Sequence, residues 1–218
     1  MIRLFIGLCC VTAASAVAQT KPADPLSFFF SGKYGQVEVG GRFVGAEFHS
    51  SRPLPSRISF YYPVANSIDV STDYWKRENS QPMVVGIQVN GGTKYWLGKE
   101  PWAYTLSPHR VKFETEESGV KYAMSYEFCL NEPAMVFVLK IKNLSAKPAT
   151  ISAYTHLRLV LRTCQTFARK DSAFTDFDMS YNTVLAYFDD LETQQPTCFV
   201  QNVGALPAQW TTSSDELV

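Results

Sequence analysis

The side chains best suited to chemistry in this chain are its carboxylates, its three histidines and a group of aromatic residues near position 100. Glycoside hydrolysis needs two carboxyl groups set roughly 5 to 10 Å apart on a rigid cleft, one to protonate the leaving oxygen and one to attack or to activate water. Asp69, Asp73, Glu78, Glu100, Asp171, Asp176 and Asp178 are available, but their spacing singles out no pair. Solvated loop positions account for each of them. His49, His109 and His156 stand apart from one another, and none falls in a His-x-x-x-His or His-Glu-x-x-His pattern. No Gly-x-Ser-x-Gly elbow presents a serine nucleophile. The glycines between Gly32 and Gly45 precede no helical pattern, so they do not read as a dinucleotide turn. No Cys-x-x-Cys or Cys/His spacing suggests zinc, and no cofactor or metal is expected.

The aromatics are more informative. Tyr95-Trp96 and Pro101-Trp102-Ala103-Tyr104 lie on either side of Leu97-Gly98-Lys99-Glu100, with His109 and Arg110 close behind. Sugar rings present apolar C–H faces, on which an exposed Trp or Tyr can stack while polar neighbours bond the hydroxyls. The competing role for large aromatics is to fill the core. Trp96 on a strand favours that role more than Trp102 in a Pro-flanked loop.

These residues have to be held by strands. Val37-Glu38-Val39 and Arg42-Phe43-Val44 face each other across Gly40-Gly41. Val84 to Val89 and Lys94 to Leu97 face each other across Asn90-Gly91-Gly92-Thr93. Gly-Gly and Asn-Gly accept the positive φ of tight hairpin turns. Val111 to Thr115 alternates with period two. After Glu116-Glu117-Ser118-Gly119 the alternation resumes, with Tyr122, Met124, Tyr126 and Phe128 on one face. Ala134 to Ile141 is nearly continuous apolar and reads as a central strand buried on both faces. Asn143-Leu144-Ser145 reads as an ordinary turn, and Thr150 to Arg162, Asn182 to Phe188 and Thr197 to Val203 as further strands. No 3.6-residue stripe is sustained. The expected fold is all-β, a large antiparallel two-sheet sandwich of about ten to fourteen strands.

Composition agrees. The chain has 218 residues, 46% hydrophobic and 14% aromatic, with 20 Lys+Arg against 20 Asp+Glu. Such a chain is neither disordered nor, without a basic block, a general nucleic-acid binder. Met1-Ile2-Arg3, the apolar run from Leu4 and the ending Ala16-Val17-Ala18 read as an export leader over residues 1–18. The run is too short for a membrane span, which needs roughly 20 residues. Residues 19–29 read as a linker and 30–218 as the sandwich. Removing the leader leaves Cys129, Cys164 and Cys198, enough for one bridge at most; buried reduced thiols are the simpler expectation.

Trp96-Leu97-Gly98-Lys99-Glu100-Pro101-Trp102 leads into the hairpin Val111 to Phe128. Val136 to Ser145 and Thr150 to Leu157 follow. This order resembles the N-terminal, galactose-mutarotase-like β-sandwich ("supersandwich") of bacterial glycoside hydrolases and phosphorylases of the cellobiose-phosphorylase type. The segment from Gln209 to Val218 resembles the approach to that family's linker. The resemblance implies a carbohydrate-active context, with catalysis in a C-terminal helical barrel for which 218 residues leave no room. The expected role is therefore the noncatalytic N-terminal portion of an exported enzyme, in a partial chain, with carbohydrate and the missing barrel as partners. Export favours a hydrolase-like relative. By analogy with sandwich loops at the rim of a sugar site, Trp102, Tyr104, Arg162, Lys170 and Asp171 are the candidate ligand-binding residues, and no catalytic residue is carried over. The alternatives are a free-standing carbohydrate-binding protein and a mutarotase-like aldose epimerase. An epimerase would need His109 or His156 to act with a carboxylate, and the sequence pairs neither.

Overall fold

The computed structural model describes residues 2–6, 27–31, 35–49, 52–61, 68–70, 81–98, 102–157, 161–162, 173–178, 180, 183–188, 198–201 and 210–211. Among them there is no helix, and all strand pairing is antiparallel. In chain order the strands are β1 (Ile2–Ile6), β2 (Phe28–Ser31), β3 (Gln36–Gly40), β4 (Val44–His49), β5 (Arg57–Phe60), β6 (Ile68–Val70), β7 (Met83–Val89), β8 (Tyr95–Trp96) and β9 (Ala103–Ser107). Then come β10 (Arg110–Glu117), β11 (Val120–Phe128), β12 (Met135–Asn143), β13 (Ile151–Leu157), β14 (Leu161–Arg162), β15 (Ala173–Asp178), β16 (Thr183–Phe188), β17 (Cys198–Gln201) and β18 (Trp210–Thr211). The all-β sandwich is thus present, divided more finely than into two sheets. Three sheets have five strands each, in the orders β12-β11-β10-β9-β2, β14-β6-β5-β4-β3 and β18-β1-β13-β7-β8; β15-β16-β17 form a smaller one.

Two tight turns account for much of the register. Asn90 and Gly91 take φ of 51° and 68°, and Ser118 and Gly119 take 52° and 74°. Paired positive φ matches the right-handed strand twist, which splayed turns do not. Beyond the second turn, Tyr122, Met124, Tyr126 and Phe128 are all buried, as their alternation requires. They meet Phe48 of β4 and Phe113 of β10. The Phe48 ring lies 5.1 Å from Phe113 and 5.0 Å from Tyr126, and Tyr126 lies 5.1 Å from Phe137. The Tyr126 hydroxyl donates to the Pro53 carbonyl at 2.8 Å, so this buried phenol is satisfied within the aromatic cluster.

Several local expectations change. β3 runs through Gly40, which faces Gly45, and the chain turns at Gly41-Arg42-Phe43, closed by Gly41 N–H to Val44 C=O at 2.8 Å. A Cβ on Gly40 would lie 2.8 Å from Gly45 Cα, so the glycine serves backbone approach within the ladder and not the turn. β2 begins inside the segment read as linker, because the Phe28-Phe29-Phe30 run pairs with β9. Residues 2–6, inside the segment read as leader, lie as β1 between β13 and β18. β12 is an edge strand among the described residues, pairing with β11 alone, and not a central one. Its Val136 is exposed, and Lys140 and Lys142 face water. The Asn143-Leu144-Ser145 turn is an Asx turn in which Asn143 Oδ1 accepts from the Ser145 backbone N–H at 2.9 Å.

The outer face of the β10–β11 pair is charged. Glu114 receives Lys112 Nζ at 3.0 Å and Lys121 Nζ at 3.1 Å. Partial burial pushes its carboxyl up, but hydrogen bonds and charge attraction from the two lysines outweigh this and hold it below its ordinary 4.5. A depressed carboxylate contributes stability that is complete above its unfolded value and is lost as pH falls through the folded one. Glu114→Gln should therefore flatten the acid limb of a stability–pH profile below about pH 4.5 and change little at neutral pH. The lysines are 41% and 45% exposed, so the effect is at most about 1 kcal/mol. An unchanged acid limb would show that the triad contributes nothing.

Candidate functional site

The most developed exposed arrangement of aromatic and polar groups is on the outer face of the β13-β7-β8 sheet. Register places Trp96, Gly86 and Tyr154 in one row across β8, β7 and β13. Gly86 is essential to this row. A Cβ there would lie 2.9 Å from Cε3 and Cζ3 of Trp96, so only glycine lets the indole settle on the strand backbone. Neighbours alternate correctly: Leu97 is buried and Tyr95 packs on the core, while Trp96 keeps 37% of its surface exposed.

Lys94, from the hairpin, sets its Nζ 4.8 Å from the Tyr154 ring centre and 6.0 Å from that of Trp96. The Tyr154 hydroxyl donates to Gln88 Oε1 at 2.6 Å, and Gln88 Nε2 donates to the Gly92 carbonyl at 2.8 Å. Asn90 Oδ1 accepts from the Thr150 backbone N–H at 2.9 Å, and Asn90 N–H donates to the Thr150 carbonyl at 2.8 Å. The hairpin is thereby tied to the start of β13, and the Tyr154 hydroxyl is held by the same bonded frame. Chemically this is a platform: an indole face for C–H stacking, a phenol oxygen able to accept, and an ammonium able to donate.

The residues singled out from sequence fall elsewhere. Trp102 is 2% and Tyr104 8% exposed, both within the core. The Tyr104 ring lies 6.0 Å from Phe113, and burial raises its phenol above the ordinary tyrosine value. Trp102 Nε1 is buried without a hydrogen-bond partner among the described residues. Arg162 sits in β14 opposite Asp69 of β6. Lys170 and Asp171 lie outside the described residues, as do Cys164 and most of the loop carboxylates. Trp102 and Tyr104 are both buried in the core beside β9 and β10, whereas the backbone of Arg162 belongs to another sheet. Of the two tryptophans whose side chains are described, Trp102 is buried and Trp96 is exposed, and the signal for Trp96 was the glycine interrupting Val84-Val85-Gly86-Ile87-Gln88.

A second polar group lies on the face of β4 that turns away from the core. Backbone register aligns Gly40, Gly45, Ser59, Asp69 and Arg162 in one row across five strands. In the next row Glu38, Glu47 and Arg57 are aligned. Glu47 and Arg57 are buried. Arg57 lies 4.0 Å from Glu47 Oε1, Gln36 Nε2 reaches the same oxygen at 3.5 Å, and His49 Nε2 is 3.9 Å from Oε2. Glu47 is thus the centre of a buried polar cluster with Arg57, Gln36 and His49. No group of three His, Cys, Asp or Glu among the described residues could hold a metal ion, and no described helix is long and apolar enough to cross a membrane. Comparison with protein-family models, with curated proteins and with solved structures finds no match for this chain, so the galactose-mutarotase-like resemblance rests on the strand order alone.

Proposed function

We propose that this chain recognises carbohydrate without hydrolysing it, as the noncatalytic β-sandwich portion of an exported carbohydrate-active enzyme of glycoside-hydrolase type. The observation that carries the reading is the Trp96 indole, laid on Gly86 and left 37% exposed beside Tyr154 and Lys94. A flat aromatic on a rigid sheet suits a pyranose: stacking removes apolar C–H surface from water, and the flanking hydroxyl and ammonium bond what the ring cannot. The strand order that resembles carbohydrate-active sandwiches supports the same class, and the leader-like N-terminus supports export. A free-standing carbohydrate-binding protein would use the same platform.

The test is titration of the full chain with a panel of oligosaccharides, followed by tryptophan fluorescence and calorimetry. Trp96→Ala should weaken binding about thirtyfold, the ~2 kcal/mol of a central aromatic anchor, with the far-ultraviolet spectrum unchanged. Trp102→Phe should leave affinity as it was. Absence of binding across the panel, or binding indifferent to Trp96→Ala, would remove this site.

A further inference from the structure

We infer that the β12 edge docks an extended acidic segment of another protein, added antiparallel so that its carboxylates face Lys140 and Lys142. Two backbone bonds fix which groups of β12 such a segment would meet. The Leu144 N–H donates to the Gly119 carbonyl at 2.8 Å, and the Cys129 N–H donates to the Ala134 carbonyl at 3.0 Å. In an antiparallel ladder the N–H and C=O of one residue point to the same side, and successive residues alternate. The even-numbered residues of β12 therefore bond β11. Met135, Phe137, Leu139, Ile141 and Asn143 turn their backbone groups the other way, where no described strand pairs with them.

The side chains decide what kind of strand fits. A strand added antiparallel would exchange hydrogen bonds with the odd-numbered residues, which puts Val136, Val138, Lys140 and Lys142 at the non-hydrogen-bonded positions. There facing Cα atoms come within about 4.5 Å and side chains meet most closely. Lys140 and Lys142 are exposed and have no ion pair among the described residues. Neither has an acid opposite it on β11: Lys140 faces Ala123, and Lys142 faces Lys121, which is itself held by Glu114 at 3.1 Å. Opposite charges directly across a strand pair are favourable and like charges are not. A second copy of β12 brings no acid, because Met135 to Asn143 contains no Asp or Glu. At the other end, Val136 and Val138 suit β-branched partners. Leu130, Val136 and Leu144, three of the six exposed large apolar side chains among the described residues, border this edge. The segment that fits reads acid-x-acid-x-β-branched-x-β-branched from its N-terminus.

The experiment titrates the full chain, at low ionic strength, with a fluorescent peptide carrying Glu-Thr-Glu-Thr-Val-Thr-Val, followed by anisotropy and by amide hydrogen exchange. The peptide should bind and should slow exchange at Phe137, Leu139 and Ile141. Replacing both peptide Glu by Gln, or combining Lys140→Gln with Lys142→Gln in the protein, should weaken binding about fivefold. Added salt should weaken the unaltered pair in the same direction. N-methylation of the central Thr, whose amide faces β12, should abolish binding, and N-methylation of the first Val, whose amide faces away, should leave it unchanged. Absence of binding, protection confined to other strands, or affinity indifferent to the charge changes or to which amide is methylated overturns the inference. So does protection of the β12 amides that rises with protein concentration alone, since a second copy would then hold the edge.

Discussion

Phe113→Ala should lower the unfolding free energy by about 3–5 kcal/mol, the range for removing a fully buried aromatic ring from a packed core. Phe113 has no exposed surface and lies between Phe48, Tyr104 and Tyr126, at ring separations of 5.1, 6.0 and 6.3 Å. It is therefore a point where β4, β9, β10 and β11 meet. Truncation removes transfer energy and ring–ring contact together, and neighbours anchored in two different sheets cannot easily collapse into the gap. Urea unfolding should show a lower midpoint with an unchanged slope. Phe113→Leu, which leaves a smaller void, should cost no more than roughly half as much. A loss under about 1 kcal/mol for the alanine variant would mean that the two sheets move together to fill the space, and that they are not held at a fixed separation.

The second large effect is expected at Glu47. Its side chain is 6% exposed and that of Arg57 is 9% exposed, with 4.0 Å between the charged atoms. At that separation the pair gains little from ideal geometry, but losing one member removes the opposite charge from the buried other. Glu47→Ala should cost about 3 kcal/mol or more, mostly the burden of leaving Arg57 buried beside a cavity. The double variant Glu47→Leu with Arg57→Met should recover most of that loss, since an apolar pair of similar volume often matches a buried ion pair. A double-mutant cycle in urea tests the idea. If Glu47→Ala alone cost less than about 0.5 kcal/mol, water would have to reach Arg57, and the cluster would behave as a surface pair.

What was legible in the sequence was local. Asn90-Gly91 and Ser118-Gly119 declare hairpins because only a few residue types accept their backbone, and the alternation from Tyr122 to Phe128 declares a buried face because period two is intrinsic to a strand. What was illegible depended on partners far away in the chain. An unbroken apolar run such as Ala134 to Ile141 looks the same whether one strand or two lie beside it, and only the pairing of β12 with β11 alone among the described residues made it an edge. The Gly40-Gly41 pair advertised a turn, yet Gly40 was needed for close approach to Gly45, and the turn fell one residue later. The tryptophans illustrate the same limit. Trp102, flanked by proline, looked like the loop residue and is buried by the sandwich. Trp96, on a strand, looked like core and is exposed on β8, which lies at the end of its sheet among the described residues. Arg162 was named from sequence by analogy and its alignment with Asp69 emerged only from the five-strand register.

The position of β12 has a further bearing on how the protein behaves in concentrated solution. Nine residues of a mostly apolar strand, Met135 to Asn143, leave one row of backbone donors and acceptors unmatched by any described strand. Such a row is a template on which another extended chain can add, and a segment reading Val-Phe-Val-Leu is of the kind that stacks into fibrils. Lys140 and Lys142 stand on the exposed side of that strand. A second copy approaching edge to edge would have to bring like charges together and strip water from them. Two ammonium groups thus act as gatekeepers against self-association, and their neutralisation by acetylation would leave the fold intact while opening a route to aggregation.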